Sequence, residues 1–304
     1  MKEIRADAAA VPVPAASRGA LGDYLSLTKP RLNLLVVITS AAGYYLGAPP
    51  AATGLVGVPM IQAVAGTALV AAGAAVLNQM AERDTDALMR RTRGRAIPDG
   101  RVAPAEARLF GIILSAGGLT LLAALPQLVT AGLASLTLLL YLAVYTPLKR
   151  RTSLATLVGA VPGALPPLIG WTASHGQISI GGAALFAILF LWQIPHFMAI
   201  AWMYRDDYAK GGFPMLTVVD PSGRRAGRHA VIYTAALIAT SAVPAVVGVS
   251  GDVYLVTAIG LGAGLLWLAI RFAATRTDRS ARHLFYASIS YLPVLLTTMI
   301  ADRL

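Results

Sequence analysis

Asn78, Glu82 and Asp86 recur at every fourth position along one stretch of the chain. On a continuing helix that spacing puts all three side chains on one face, with successive members about 6 Å apart along the axis. Three oxygen donors in one stripe suit a hard cation such as Mg2+, which completes its shell with water and phosphate oxygens. Asp84 falls nearly opposite, placed to meet a neighbouring arginine. Arg90, Arg91 and Arg95 lie in a basic string directly beyond, and guanidinium groups suit diphosphate oxygens. The alternative is a solvated helix end whose acids only pair with these arginines. Two features weigh against it. Asn78 sits a turn deep in an apolar run, where an amide is costly. In addition, three of the chain's 14 acidic residues fall within five positions.

A second polar cluster follows a later apolar run. Gln193 and His196 lie inside that run beside Pro195, and Asp206 and Asp207 stand just past its end. Pro195 should loosen the helix and free a backbone carbonyl. Taken singly, His196 reads equally as a histidine satisfied by a carbonyl, and the aspartate pair as an ordinary loop. Two acidic clusters on one side of the molecule argue together for a site. Tyr145 and Lys149, one turn apart at another helix end, are placed to grip a diphosphate oxygen or to act as interfacial anchors. Residues 156–171 hold Gly159, Pro162, Gly163, Pro166, Pro167 and Gly170. Such a helix is irregular, and its small residues leave room for a bulky ligand or for close packing.

The elements that must position these groups are set by composition. The 304 residues are 57% hydrophobic and 13% charged, about half the charged share of a soluble domain. Lipid therefore replaces water over most of the surface. Cysteine is absent, which excludes disulfides, iron–sulfur clusters, thiolate metal sites and covalently attached c-type haem. The net charge of +11 lies in the gaps between apolar segments rather than on one face, so it indicates a membrane and not nucleic acid.

Apolar stretches of about 20 residues predict an all-α, polytopic membrane protein with about nine transmembrane helices. The spans are 28–47, 57–81, 107–124, 127–146, 154–173, 181–204, 229–249, 252–273 and 283–301, with a tight connection at Pro126. Residues 1–23, rich in Ala and Pro, read as a disordered tail, and residues 24–304 as a single transmembrane domain. Alternate loops carry nearly all the Lys and Arg, with Arg303 the exception. The positive-inside rule then puts the N-terminus in the cytoplasm and the C-terminus outside, most simply in a bacterial plasma (inner) membrane.

The residues quoted above resemble the protohaem IX farnesyltransferases (haem O synthases), a branch of the UbiA superfamily of intramembrane prenyltransferases. The likeness runs from Leu25 onward. It covers the Thr28-Lys29-Pro30-Arg31 entry, residues 78–92, Tyr145 to Lys149, and the run from Pro166 to Trp171. It continues through Trp192-Gln193, Pro195-His196-Phe197, Asp207-Tyr208 and Pro214-Met215-Leu216. The resemblance implies a UbiA-type bundle in the lipid bilayer, Mg2+ as cofactor, and farnesyl diphosphate and haem B as substrates. Haem A synthase would be the protein partner. It implies Asn78, Glu82, Asp86 and Asp207 at the metal, with Asp206 and Lys149 beside them in catalysis. Arg90, Arg91, Arg95, Tyr145, Lys149, Tyr208 and Lys210 would lie on the diphosphate, and His196, Gln193 and Trp192 on haem. Glu82 stands where relatives often carry Asp. A quinone or chlorophyll-type acceptor is the rival within the superfamily. A transporter is the rival outside it, although no internal repeat is visible.

Overall fold

The computed structural model describes residues 19–49 and 57–304. Among these the chain is helical, with one isolated bridge between Ser250 and Arg303 and no strand. The elements are α1 (Ala20–Leu27), α2 (Pro30–Gly47), α3 (Val58–Ala81), α4 (Arg83–Asp86), α5 (Pro104–Ala123) and α6 (Leu128–Leu139). A π-helical turn (Leu140–Tyr145) leads into α7 (Thr146–Leu148), then α8 (Ala155–His175), α9 (Ile180–Met203), α10 (Arg205–Lys210) and α11 (Leu216–Val219). The chain ends with α12 (Arg224–Ser241), α13 (Val243–Val246), α14 (Asp252–Thr275) and α15 (Asp278–Ala301).

Seven segments are long and apolar enough to cross a membrane: α3, α5, Leu128–Leu148, α9, Arg224–Val246, α14 and α15. The other two expected spans are present as α2 and α8, of 18 and 21 residues. Polar residues near the start of α2 and three prolines inside α8 dilute their apolar character. Small residues let these two helices meet closely. A Cβ on Gly170 would overlap the Ser40 carbonyl oxygen, and one on Gly43 that of Pro167. One core joins α2, α8, α9, α12, α14 and α15, and a second joins α3, α5, α6 and α8. Shared by both, α8 ties the two halves together.

Three expectations change. The proposed tail lies mostly outside the described residues, but its last part opens α1 instead of continuing disordered. Leu27 buries completely against Val76, Ala96 and Ala107, and the Asp23 carboxylate accepts from Arg101 Nε at 3.1 Å. Eight residues are too few for hydropathy to register. Both α12 and α15 begin five residues before their expected spans, at Arg224 and Asp278. Charged first turns can extend a helix out of the apolar layer, and Thr277 caps α15 by accepting from Ser280 N at 3.2 Å. Arg303, the basic residue on the wrong side, is accounted for locally. Its guanidinium donates to the Ala48 carbonyl and lies 4.8 Å from the Tyr45 ring centroid.

Candidate active site

The apolar, small-residue run of α3 ends at Ala81. Glu82 leaves helical backbone (φ −95°, ψ 4°) before α4 resumes at Arg83. The expected uninterrupted helix over residues 78–86 is therefore broken. Side chains bond carbonyls on either side of the break. Arg83 Nη1 donates to Met80 O at 3.3 Å and Thr85 Oγ1 to Glu82 O at 2.8 Å. Even so, Glu82 N donates to Asn78 O (2.9 Å) and Asp86 N to Glu82 O (2.8 Å), so the three side chains keep their succession. All are buried, at 2%, 5% and 1% exposure for Asn78, Glu82 and Asp86.

Each of the three has one partner. Asn78 Nδ2 donates to Thr146 Oγ1 at 3.0 Å. Both Glu82 oxygens accept from Lys149 Nζ, at 3.1 and 3.0 Å. Asp86 Oδ2 accepts from Arg95 Nη1 at 2.6 Å. The π-helical turn and α7 thus supply two rungs of a ladder, and the loop after α4 supplies the third. That loop is held by Thr92 Oγ1, which donates to Asp86 O at 2.8 Å. Asp84 is exposed and pairs with Arg83 at 3.5 Å, as its opposite face led one to expect.

One of the two aspartates of the second acidic region meets the loop that follows α4. Asp207 Oδ2 accepts from the Arg91 backbone N–H at 3.3 Å. The Arg91 guanidinium lies 5.4 Å from the Tyr204 ring centroid and 6.0 Å from that of Tyr208. Met89, Tyr208 and Phe213 form a small core beneath, and the Lys149 ammonium sits 4.6 Å from the Phe213 ring centroid. Asp206, Arg90 and Lys210 are exposed. Tyr145 is half-buried, 5.9 Å from Lys149 Nζ, and its ring occupies space that only a glycine at 159 leaves open.

Two neighbours of the site had no role in the sequence reading. Thr146 is one. The other is Lys29, just before α2, held in a left-handed backbone conformation (φ 49°, ψ 62°). Lys29 is half-buried there. The preceding turn is pinned by Gln79 Nε2, which donates to Leu27 O at 2.6 Å. Its presence in the Thr28-Lys29-Pro30-Arg31 motif was the available signal, but spacing alone says nothing about a left-handed turn.

The donor set suits Mg2+ in part. Two buried carboxylates and a carboxamide are hard oxygen donors, the type this ion takes. Among the described residues no three Asp, Glu or His side chains converge on one point. A metal held here would need water and phosphate oxygens to complete its shell, which is its usual habit.

The haem residues expected on α9 have separate environments. The helix runs through Pro195 without a break. Trp192 Nε1 donates to Ser288 O at 2.7 Å, and Gln193 Nε2 to Leu189 O and Ala160 O at 3.1 and 3.3 Å. Their N–H groups are committed to carbonyls of α15, α8 and α9 itself. His196 stacks between Trp192 and Phe285, at centroid distances of 5.2 and 5.0 Å. Its Nδ1 lies 2.8 Å from Ser288 Oγ, which in turn bonds Phe285 O at 2.7 Å. A carbonyl can only accept, so the serine proton goes to Phe285 and the histidine Nδ1–H donates to serine. That tautomer leaves a lone pair on Nε2.

Long apolar helices thus carry, at one end, buried carboxylates paired to cations, with further cations around them. The chain belongs to the UbiA prenyltransferase family, whose model matches residues 36–292, and it is a multi-pass membrane protein. It is 47% identical over 290 residues to a protohaem IX farnesyltransferase from Opitutus terrae, covering 95% of this chain and 97% of that one. The fold is similar to a solved digeranylgeranylglyceryl phosphate synthase (TM-score 0.78, 16% identity, 94% and 99% of the two chains). It is also similar to a UbiA homologue from Archaeoglobus fulgidus bound to GPP and Mg2+ (TM-score 0.64, 17% identity, 92% and 99%). Membership of this family sets the transporter reading aside.

Proposed function

We propose that the chain transfers a farnesyl group from farnesyl diphosphate to a vinyl group of haem B, giving haem O and diphosphate. The likeness to the Opitutus terrae protein supports the choice of substrates. One observation of the site carries the chemistry: buried Glu82 and Asp86 are each matched to a cation, Lys149 and Arg95, that can exchange its carboxylate for a phosphate oxygen.

Asn78, Glu82, Asp86 and Asp207 would hold Mg2+, an ion that a UbiA homologue of similar fold binds together with GPP. When bound, it would neutralise the diphosphate so that it can leave. Lys149, Arg95 and Arg91 orient and neutralise the remaining phosphate oxygens, with Tyr145, Tyr208, Arg90 and Lys210 around the rim. The carbon–oxygen bond to diphosphate breaks with its electron pair on oxygen, leaving an allylic cation on farnesyl. The vinyl π electrons form the new carbon–carbon bond. Water then adds to the resulting cation and loses a proton, leaving the hydroxyethylfarnesyl group. Surrounding apolar helices exclude water from the first cation. His196, with Nε2 available, would contact the haem iron, while Trp192 and Gln193 fix the helix that carries it.

The basic loops would face the cytoplasm, with the C-terminus outside the plasma membrane, and haem A synthase would receive the product. Mass spectrometry of haems from a host expressing the chain tests the proposal. A farnesylated hydroxyethyl haem is expected. A prenylated quinone with unchanged haem would replace the acceptor, and no prenylated product at all would overturn the reading.

A further inference from the structure

Asn78 is the odd member of the ladder. Its two rungmates are carboxylates, whose oxygens are equivalent, whereas a carboxamide can ligate a cation only through oxygen and must face the right way. What turns it lies on the other strand of the ladder. Thr146 Oγ1 is 2.7 Å from Tyr141 O and 3.0 Å from Asn78 Nδ2. The carbonyl only accepts, so the one hydroxyl proton of Thr146 goes to Tyr141. The hydroxyl oxygen can then only accept from Asn78, which must present its NH2 group. The carboxamide oxygen is left clear of Thr146. All this happens in buried surroundings, at 2% exposure for Asn78 and 9% for Thr146, where the reversed amide would set its oxygen against the Thr146 oxygen, or take the hydroxyl proton from Tyr141, at a cost of roughly 1–3 kcal/mol.

The backbone is shaped for the same contact. Thr146 N also donates to Tyr141 O, the five-residue spacing of the π-helical turn over Leu140–Tyr145. An α-helical turn in its place would rotate the residues beyond it by about 100°. Thr146 would then face away from α3, and Lys149 would turn away from Glu82.

We propose that Thr146, set by the π-helical turn, is a positioning residue that orients the Asn78 carboxamide oxygen toward the metal–diphosphate. This rests on the reading of Asn78 as a metal ligand, and it predicts that the effect of Thr146 disappears when residue 78 has no distinguishable ends.

The test measures Mn2+ binding by electron paramagnetic resonance. It uses the detergent-solubilised full chain with farnesyl S-thiolodiphosphate, an analogue that does not turn over. Thr146→Val should weaken Mn2+ binding about 10-fold, the usual effect of removing a residue that orients a ligand. Thr146→Ser, which keeps the hydroxyl, should stay within about twofold. In the Asn78→Asp background, adding Thr146→Val should change the affinity by less than about twofold. Should Thr146→Val fail to fold, Thr146→Ala against Thr146→Ser makes the same comparison. Equal loss in the Ser and Val variants, or the same 10-fold loss in the Asn78→Asp background, would mean a purely structural threonine and overturn the proposal. Undiminished Mn2+ binding in Asn78→Ala would instead remove the ligand reading beneath it.

Discussion

The end of α3 and the start of α10 carry similar residues in opposite circumstances. Glu82 and Asp86 are buried, and each oxygen pair faces a cation from another segment. Asp206 is exposed, and half-buried Asp207 meets a backbone N–H rather than a charge. A buried, unpaired carboxylate costs several kcal/mol, so the first pair requires Lys149 and Arg95 whenever no substrate is bound. Solvated aspartates have no such requirement. The first end is therefore a set of buried charges already matched in pairs. The second is a looser arm that Arg91 and Tyr208 bring to its edge.

The largest effect expected from this difference is at the buried end. Glu82→Gln and Asp86→Asn should each reduce diphosphate release from farnesyl diphosphate and haem by about 10³-fold, with helicity by circular dichroism unchanged. Near wild-type turnover in both would erase the distinction between the two ends. The aspartate pair should split next. Asp207→Asn is expected to lower turnover by about 10–100-fold, and Asp206→Asn to leave it within about threefold, as for surface changes. Equal losses would show that both reach the substrate.

His196 extends the comparison to a neutral polar group, about 10 Å along α9 from the helix end. His196→Ala should weaken haem binding in a spectral titration by about 10-fold while radiolabelled farnesyl diphosphate binding holds. Equal loss of both affinities would place the histidine in general packing instead. The smallest effect concerns Asp220, an acid between α11 and α12 with a purely local task. Ser222 Oγ and the Arg225 backbone N–H hold its carboxyl below the ordinary value of 3.8. Its contribution to stability is present above the unfolded value and lost as pH falls through the folded one. Asp220→Ala should therefore lower the melting temperature slightly at pH 6, and the difference should shrink below pH 4.

Much of the site could be read from spacing. The i, i+4 succession of Asn78, Glu82 and Asp86 survives because main-chain hydrogen bonds bridge the break at Glu82. The break itself was hidden, since no helix-breaking residue marks it in residues 78–86. Thr146 was hidden for a different reason. Its role depends on a π-helical turn, and no periodicity in residues 140–145 separates that turn from an α-helix. Lys149 was identified as a diphosphate contact, but its resting partner, Glu82, is 67 residues away. Gln193 and His196 read as polar groups within an apolar run, and only the positions of α8 and α15 disclosed their partners, Ala160 O and Ser288 Oγ.

The sequence by itself determined the helical, membrane-spanning character of this protein. It follows from local composition: every apolar run must satisfy its own backbone in lipid, and that requires no distant partner. The tertiary structure decided which cation meets which carboxylate, which of two neighbouring aspartates reaches the site, and which end of Asn78 faces its neighbour. These depend on approaches between segments far apart in the chain, to within a hydrogen bond's length, and spacing along one helix does not contain that information.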